Sequence, residues 1–569
     1  MTARRSRIAV PLLARAALAL ALALVVAWPA WATVRAAWGG PEAASGAGLL
    51  EAGVDASSVA RPLALALNTI ELVLATEALA LGIGLPLALL LGRTDLWGRR
   101  VLFGLMALGM FVPMPLHAAA WLGAFGNVGR AQVFGTRPIL LGLPGAAFVH
   151  AMAALPWVVL LASLGLRTVE PELEESALLE KPAWRVLASV TVRRGLGAIA
   201  AAALAVAVLT AGDMTVTDLL QVRTYAEEAY TQFQLGNGPG AASAVALPPL
   251  LVLGTLVLLG AHGLLKADPA RLASAQAHAK VWRLGRWRIP LGAMVVLLAG
   301  NLVALPVYGL LWRAGRVGGS AALRQPPHWS AGGLLGTLQY AAADVAEPLL
   351  TSLLWSALGA TVTLILAWPL AWFSRRKSVW QWVAAATVAV CLAAPGPVAG
   401  MALVLAYNAA PPGPGASAFA ALAYHARTFI YDTPAILVLA YVLRTLPYAL
   451  LVLWPALRAL PPAYLEAAAL DGHGPWGQIR RVALPLTLPA AAAAWGVSFV
   501  LALGELPTAN LVYPPGTTPL SVVVWGLLHT GVESHLAGVG VILLATIAAA
   551  LAVAWAVAGL GGWRVMSGE

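Results

Sequence analysis

Charge is scarce in this chain. Lys, Arg, Asp and Glu together make up 10% of its 569 residues, against 60% hydrophobic ones, and the mean hydropathy is +0.82. A soluble domain carries about 25% charged residues, so a water-covered body is excluded and lipid must cover much of the surface. Cysteine is nearly absent too. Cys391 stands alone, which excludes a disulfide within the chain and any metal site built on cysteines. No Gly-Lys-Ser/Thr phosphate loop occurs, so this chain is not expected to hydrolyse ATP or to act as an enzyme. Ten-residue segments alternating apolar and polar, the mark of a membrane barrel, are also lacking.

Long apolar runs are what the chain does have. Twelve are long enough to cross roughly 30 Å of hydrocarbon as helices. They lie near residues 12–34, 63–91, 101–124, 139–166, 196–212, 242–264, 289–312, 346–372, 380–406, 434–456, 487–510 and 536–560. The net charge of +11 would suit nucleic acid, but its placement argues for lipid. With the N-terminus inside, the internal segments hold 24 of the 35 Lys and Arg residues, which predicts cytoplasmic termini and contact with anionic headgroups. The first run continues past Trp28 and Trp31, longer than a signal-peptide core, and reads as a retained helix. Residues 39–58, rich in Gly, Ala and Ser, read as an external loop.

The two halves follow one plan. Leu155-Pro156-Trp157 recurs as Leu446-Pro447-Tyr448 and Arg167 as Arg458, both 291 positions on. Pro86 recurs as Pro369 after 283, and Asp213 as Glu505 after 292. Six spans per half is even, so the expected fold is an all-α polytopic membrane protein of two parallel six-span repeats. The expected division is 1–60 as first helix and external loop, 61–264 as the first core and 265–288 as cytoplasmic linker. Residues 289–345 then form the seventh helix and its external loop, 346–560 the second core and 561–569 a cytoplasmic tail.

A second repeat lies in two loops on the basic side. In one, Pro462 suits a first helical turn, good helix formers run to Leu470, and Asp471-Gly472 stops the helix. A short segment with Trp476, Ile479 and Val482 on one face follows, and Leu484-Pro485 is expected to turn the chain into the next span. The other copy starts at Glu175-Ser176-Ala177, has Lys181 in place of the glycine, and ends Val192-Arg193. A helix–turn–helix at a membrane surface is a rigid knob suited to a groove in another protein. The competing reading is an ordinary connecting loop.

Glu466-Ala467-Ala468, Gly472 and Leu484-Pro485 resemble the cytoplasmic loop of binding-protein-dependent ABC importer permeases of type 1. The resemblance implies type-1 permease cores in a multi-pass bacterial inner-membrane protein. It implies coupling helices seated on two copies of a cytoplasmic ABC ATPase, placed here at Glu466, Ala467, Ala468, Asp471, Gly472, Leu484 and Pro485. The degenerate copy carries Glu175, Ser176, Ala177 and Lys181, whose turn is expected to differ. A periplasmic or lipid-anchored substrate-binding protein would deliver cargo. No cofactor would be bound directly, since ATP is used by the partners. The fused twelve-span form is most similar to ferric-iron permeases, with thiamine permeases as near relatives, notably in Gly504-Glu505-Leu506-Pro507 and Tyr513-Pro514-Pro515-Gly516-Thr517.

Polar groups within the spans complete the reading. Charges at membrane depth are costly and mark cavities, partners or helix contacts. Glu71 and Glu77 share the second span, on faces roughly 120° apart. Asp213 and Glu505 end matching spans, where they would flank an external pathway mouth; carboxylates there would suit hard ferric iron. Simple solvation or helix–helix hydrogen bonding would also account for these acids. Arg444 is expected to pair with one of them, His117 and His150 to be packed and hydrogen-bonded core residues, and His529 and His535 to sit in loops. The rival functions are a thiamine or other small-solute importer, a secondary transporter and a structural membrane protein.

Overall fold

The computed structural model describes residues 2–39, 56–126, 137–235, 238–266, 280–318, 328–413, 415–530 and 533–560. The first half contains α1 (Thr2–Leu22), α2 (Trp28–Gly39), α3 (Ala56–Arg93), α4 (Arg99–Gly109), α5 (Met114–Phe125) and α6 (Gly142–Leu166). It continues with α7 (Pro171–Leu178), α8 (Ala183–Val186), α9 (Arg193–Ala211), α10 (Thr215–Leu219), α11 (Tyr225–Gln234) and α12 (Gly238–Lys266). Then come α13 (Arg288–Ala314), the ribbon β1 (Arg316–Val317) with β2 (His328–Trp329), α14 (Ala331–Asp344), α15 (Ala346–Ser374), α16 (Val379–Ala393), α17 (Gly396–Tyr407) and α18 (Ala418–Asp432). The chain closes with α19 (Ala435–Arg458), α20 (Pro462–Leu470), α21 (Pro475–Gln478), α22 (Leu484–Leu503), α23 (Ala509–Val512), α24 (Leu520–Thr530) and α25 (Glu533–Leu560). Most of the expected loop at 39–58, most of the linker at 265–288 and the tail at 561–569 lie outside the described residues.

Ten helices among the described residues are long and apolar enough to cross a membrane, or twelve if each of two bent pairs counts as one span. The protein is therefore an all-α, multi-pass membrane protein. The expected spans at 101–124 and 380–406 are the two bent pairs. α4 meets α5 at 106°, and α16 meets α17 at 110°. The cause is written in Pro113-Met114-Pro115 and Pro395-Gly396-Pro397. Pro113 and Pro395 are extended, with ψ of 143° and 150°; a proline has no N–H to continue a helix, and Pro395 holds its predecessor Ala394 extended at ψ 113°.

A correction concerns Leu484-Pro485. The pair does not turn the chain; helix runs unbroken from Pro475 to Leu503 through a π-helical turn at Ile479–Ala483. A π turn frees backbone geometry next to a proline, so Pro485 sits inside the first turn of α22 without a break. The first half repeats this at Leu187–Val192, so that span starts at Ala183, well before the expected residue 196.

Small residues bring the spans together. A Cβ on Gly84 of α3 would stand 2.5 Å from Val158 of α6, and one on Gly359 of α15 would stand 2.8 Å from Tyr441 of α19. Such close approach is how helices pack where lipid gives no hydrophobic drive between them. The outer helices cross over between halves. Leu18, Leu22, Val25 and Ala32 of the first span share a core with Leu403, Ile436 and Leu446, and Trp28 Nε1 donates to Ala406 O at 3.0 Å. Reciprocally, Val295 and Ala299 of α13 pack with Leu87, Met106 and Leu155.

Candidate functional site

The loop at 461–485 is built as its residues dictate. Pro461 is extended and Pro462 opens α20, where its missing N–H costs nothing. Leu465 and Ala468 turn inward, leaving Glu466 and Ala467 exposed. The helix then closes in a paired cap: His473 N donates to Ala468 O at 2.9 Å and Gly472 N to Ala469 O at 3.0 Å. Gly472 has φ +82°, a left-handed conformation that only glycine adopts cheaply. Of the three residues expected to share a face in the segment that follows, Ile479 and Val482 pack against the core, whereas Trp476 is exposed.

The loop at 169–194 reaches a similar shape by a different turn. α7 opens on Pro171 and ends without a left-handed residue, Lys181 N donating instead to Ala177 O at 2.9 Å. Glu175 is exposed and meets Lys280 Nζ at 3.2 Å. Ser176 Oγ donates to Leu173 O at 3.1 Å, and Glu174, just before Glu175, is wholly buried. Between α7 and the start of α9 lies a cleft of about 440 Å³ lined by Leu173, Ser189, Val190, Arg193 and Arg194.

Both loops present the same apolar tip. Leu179 and Leu470 are each 89% exposed, and Trp184 and Trp476 are 66% and 65% exposed. These pairs stand 291 and 292 positions apart, the offsets of the repeat itself. Neither leucine is marked by a residue pattern, since the sequence signal of the loop lies in its Glu-Ala-Ala and glycine positions.

Within the spans and at their far ends the halves meet through matched residues and matched contacts. Trp157 and Tyr448, equivalent in the repeat, have ring centroids 5.8 Å apart. Pro113 of one half abuts Gly504 of the other, where a Cβ would lie 2.8 Å from the proline ring. In the matching contact, a Cβ on Gly212 would lie 3.8 Å from Pro395 Cα. Met214 and Leu506, the residues after the two matched acids, are buried in one cluster with Ala226, against Tyr230 and Trp525.

Asp213 and Glu505 each accept from the backbone N–H three residues on, beside a short helix. Asp213 Oδ2 accepts from Val216 N at 2.8 Å, and Glu505 Oε1 accepts from Thr508 N at 3.1 Å and from Thr508 Oγ1 at 2.7 Å. Glu505 also pairs with Arg444, whose Nε lies 3.3 Å away, while His150 Nε2 lies 3.7 Å from Asp213, beyond hydrogen-bond reach. Arg444 Nη1 further donates to Ala394 O at 2.9 Å, just before the bend at Pro395. On α3, Glu71 is exposed and Glu77 half-buried, and neither forms an ion pair among the described residues. His117 and His150 are buried in helices as expected, but neither ring nitrogen of His150 has the expected hydrogen-bond partner among the described residues. His529 and His535 correct the expectation of loops, since they lie on α24 and α25. His529 is held there by Trp525 O at 2.9 Å and Asp218 Oδ2 at 3.0 Å, and His535 faces Asp344 at 3.2 Å. No group of three or more His, Cys, Asp or Glu among the described residues could hold a metal ion.

A multi-pass helical membrane protein with paired surface knobs and matched contacts between its halves is the class that this geometry defines. Within it, residues 359–561 match the family described as binding-protein-dependent transport system inner membrane component. The chain is 35% identical over 80 residues to a 2-aminoethylphosphonate transport system permease protein of Salmonella typhimurium, covering 14% of this chain and 30% of that one. It is 28% identical over 99 residues to a spermidine/putrescine transport system permease protein of Escherichia coli, covering 17% and 38%. The chain thus spans about a third of the length of the curated relatives it matches.

Proposed function

We propose that this chain is the membrane-spanning subunit of an ATP-driven importer, with translocation as its task and ATP hydrolysis in separate subunits. Two parallel six-span repeats, divided as the sequence suggests and with both termini in the cytoplasm, enclose the pathway. The observation that carries this reading is the pair of exposed tips, Leu179 with Trp184 and Leu470 with Trp476. Exposed leucine and tryptophan at equivalent points of two loops fit two copies of one partner. Two cytoplasmic ABC ATPases would take them, with Glu175, Ser176, Ala177, Lys181, Glu466, Ala467, Ala468, Asp471, Gly472, Leu484 and Pro485 forming the coupling elements.

ATP binding closes the partners, the loops carry that motion into the spans, and the halves part at their far ends. The closed cluster of Met214 and Leu506 would open, and the acids Asp213 and Glu505 would be drawn apart with it. Glu71 and Glu77 remain pathway candidates as unpaired acids in a span. An external binding protein would present the cargo.

Ferric iron is the cargo that the whole-chain resemblance implies, with thiamine beside it. A small organic amine is the second reading, favoured by the relatives, whose names specify 2-aminoethylphosphonate and spermidine or putrescine. Proteoliposomes holding the chain, candidate ATPases and a candidate binding protein would be offered labelled ferric iron, thiamine, 2-aminoethylphosphonate and spermidine in turn. ATP-dependent accumulation that disappears in Gly472→Asp supports the importer. Which compound accumulates decides the cargo, and accumulation driven by a proton or sodium gradient without ATPase would sink the proposal.

A further inference from the structure

Among the largest fully buried side chains of this membrane protein is an arginine. Arg93 ends α3, where Nη1 donates to Leu166 O at 2.7 Å and Nη2 donates to Glu174 Oε2. The second oxygen of Glu174 accepts from Thr191 Oγ1. Arg93, Glu174 and Thr191 are all 0% exposed. One carboxylate and one guanidinium therefore join four elements: the end of α3, the end of α6, the helix α7 and the π turn before α9.

A strap runs over the same point. Trp282 N donates to Arg93 O at 2.8 Å, and Asp95 N donates back to Trp282 O at 3.2 Å. Leu284 N donates to Asp95 Oδ1 at 2.9 Å. The strap's Lys280 holds Glu175, the neighbour of Glu174 on α7, at 3.2 Å. The end of the segment joining the halves is thus tied both to α3 and to the first loop.

Among the described residues, the equivalent points of the second loop carry no such ion pair. Leu465 stands where the repeat offset of 291 places the equivalent of Glu174, and Ala483 where 292 places that of Thr191. Both are buried in one apolar core with Leu453 and Leu457. The offset of 283 puts Arg376 opposite Arg93, and Arg376 is exposed.

We infer that the two loops are mounted by different physics, and that Arg93 and Glu174 are positioning residues that fix the first loop to α3. Apolar contact is non-directional and sets proximity alone. Charge-assisted hydrogen bonds from a guanidinium fork set angle as well as distance. Separating the pair inside a dry site would strand two charges, so α7 moves with α3 as one body. The second loop rides on a slippery apolar seat beside a glycine turn. Motion entering at the first loop reaches α3 without slack, and α20 has freedom that α7 lacks. The inference rests on the reading of both loops as docking elements.

The test is a pair of spin-label distances in the full chain, with Cys391→Ala as background. Labels at Ser176 and Arg100 report the first loop, and labels at Ala469 and Lys377 the second. Glu174→Gln, which keeps shape and removes charge, should about double the width of the first distribution and leave the second unchanged. Thr191→Val, which keeps volume and loses one hydrogen bond, should widen it less; it carries the test if Glu174→Gln does not fold. An unchanged first distribution, or equal widening of both, overturns the inference. Capture of a candidate ATPase by the unsubstituted chain is measured alongside. No capture there removes the docking reading, while the distances still decide how the loop is held.

Discussion

Gly472 and Lys181 occupy the same point of the repeated loop and do opposite things with the backbone. Gly472 has φ +82°, and an L-residue there pays about 1–2 kcal/mol. Lys181 has an ordinary backbone and closes its helix on Ala177 O. Gly472→Ala should therefore loosen the cap, with hydrogen exchange at His473 and Gly472 amides rising several-fold, about what 1 kcal/mol allows. Lys181→Gly should leave exchange in the first loop nearly unchanged. The glycine stop was readable from sequence because a left-handed cap has a strong residue preference. Lys181 announced that its turn would differ but not how, since a loop without a left-handed residue has many solutions. The burial of Glu174 was not readable at all, because its partners Arg93 and Thr191 are distant in sequence.

The π turns, the proline bends and the two knobs decide matters at the scale of elements. The sequence reading placed all twelve apolar runs near where helices occur, since hydropathy reports burial in lipid whatever the local geometry. It ran straight through Pro113-Met114-Pro115 and Pro395-Gly396-Pro397, because an apolar count is blind to a missing N–H. It also credited Leu484-Pro485 with a turn that the π segment at Ile479–Ala483 makes unnecessary. The knobs carry their own prediction. Leu179→Asn and Leu470→Asn change side chains that are each 89% exposed, so folding should be unaffected. Each should weaken capture of the partner ATPase by about tenfold, in line with roughly 1–2 kcal/mol for an interface leucine. The readout is co-purification from detergent, against thermal stability of the chain alone. Equal capture by all variants would move the docking surface elsewhere.

At the scale of the whole molecule, the repeat is visible as contact and not only as spacing. Trp157 meets Tyr448, its equivalent 291 positions on, while Pro113 meets Gly504 and Pro395 approaches Gly212 as two contacts of one kind. Spacing alone offered Trp157 and Tyr448 as equivalents, yet equivalence does not say whether two residues touch; they do so only if they lie beside the axis. That position makes them a direct probe of whether the halves must part. In a Cys391→Ala background the chain has no other thiol, so Trp157→Cys with Tyr448→Cys leaves a single reactive pair. A short reducible crosslinker should join them within one chain in the resting state. If the halves separate during transport, crosslinked protein should keep its partner ATPase yet lose ATP-driven accumulation, and reduction should restore it. Each single cysteine treated in the same way should transport as before. Transport persisting in the crosslinked chain would mean that cargo passes without motion at this axis, and the pathway would then have to be sought along α3, beside Glu71 and Glu77.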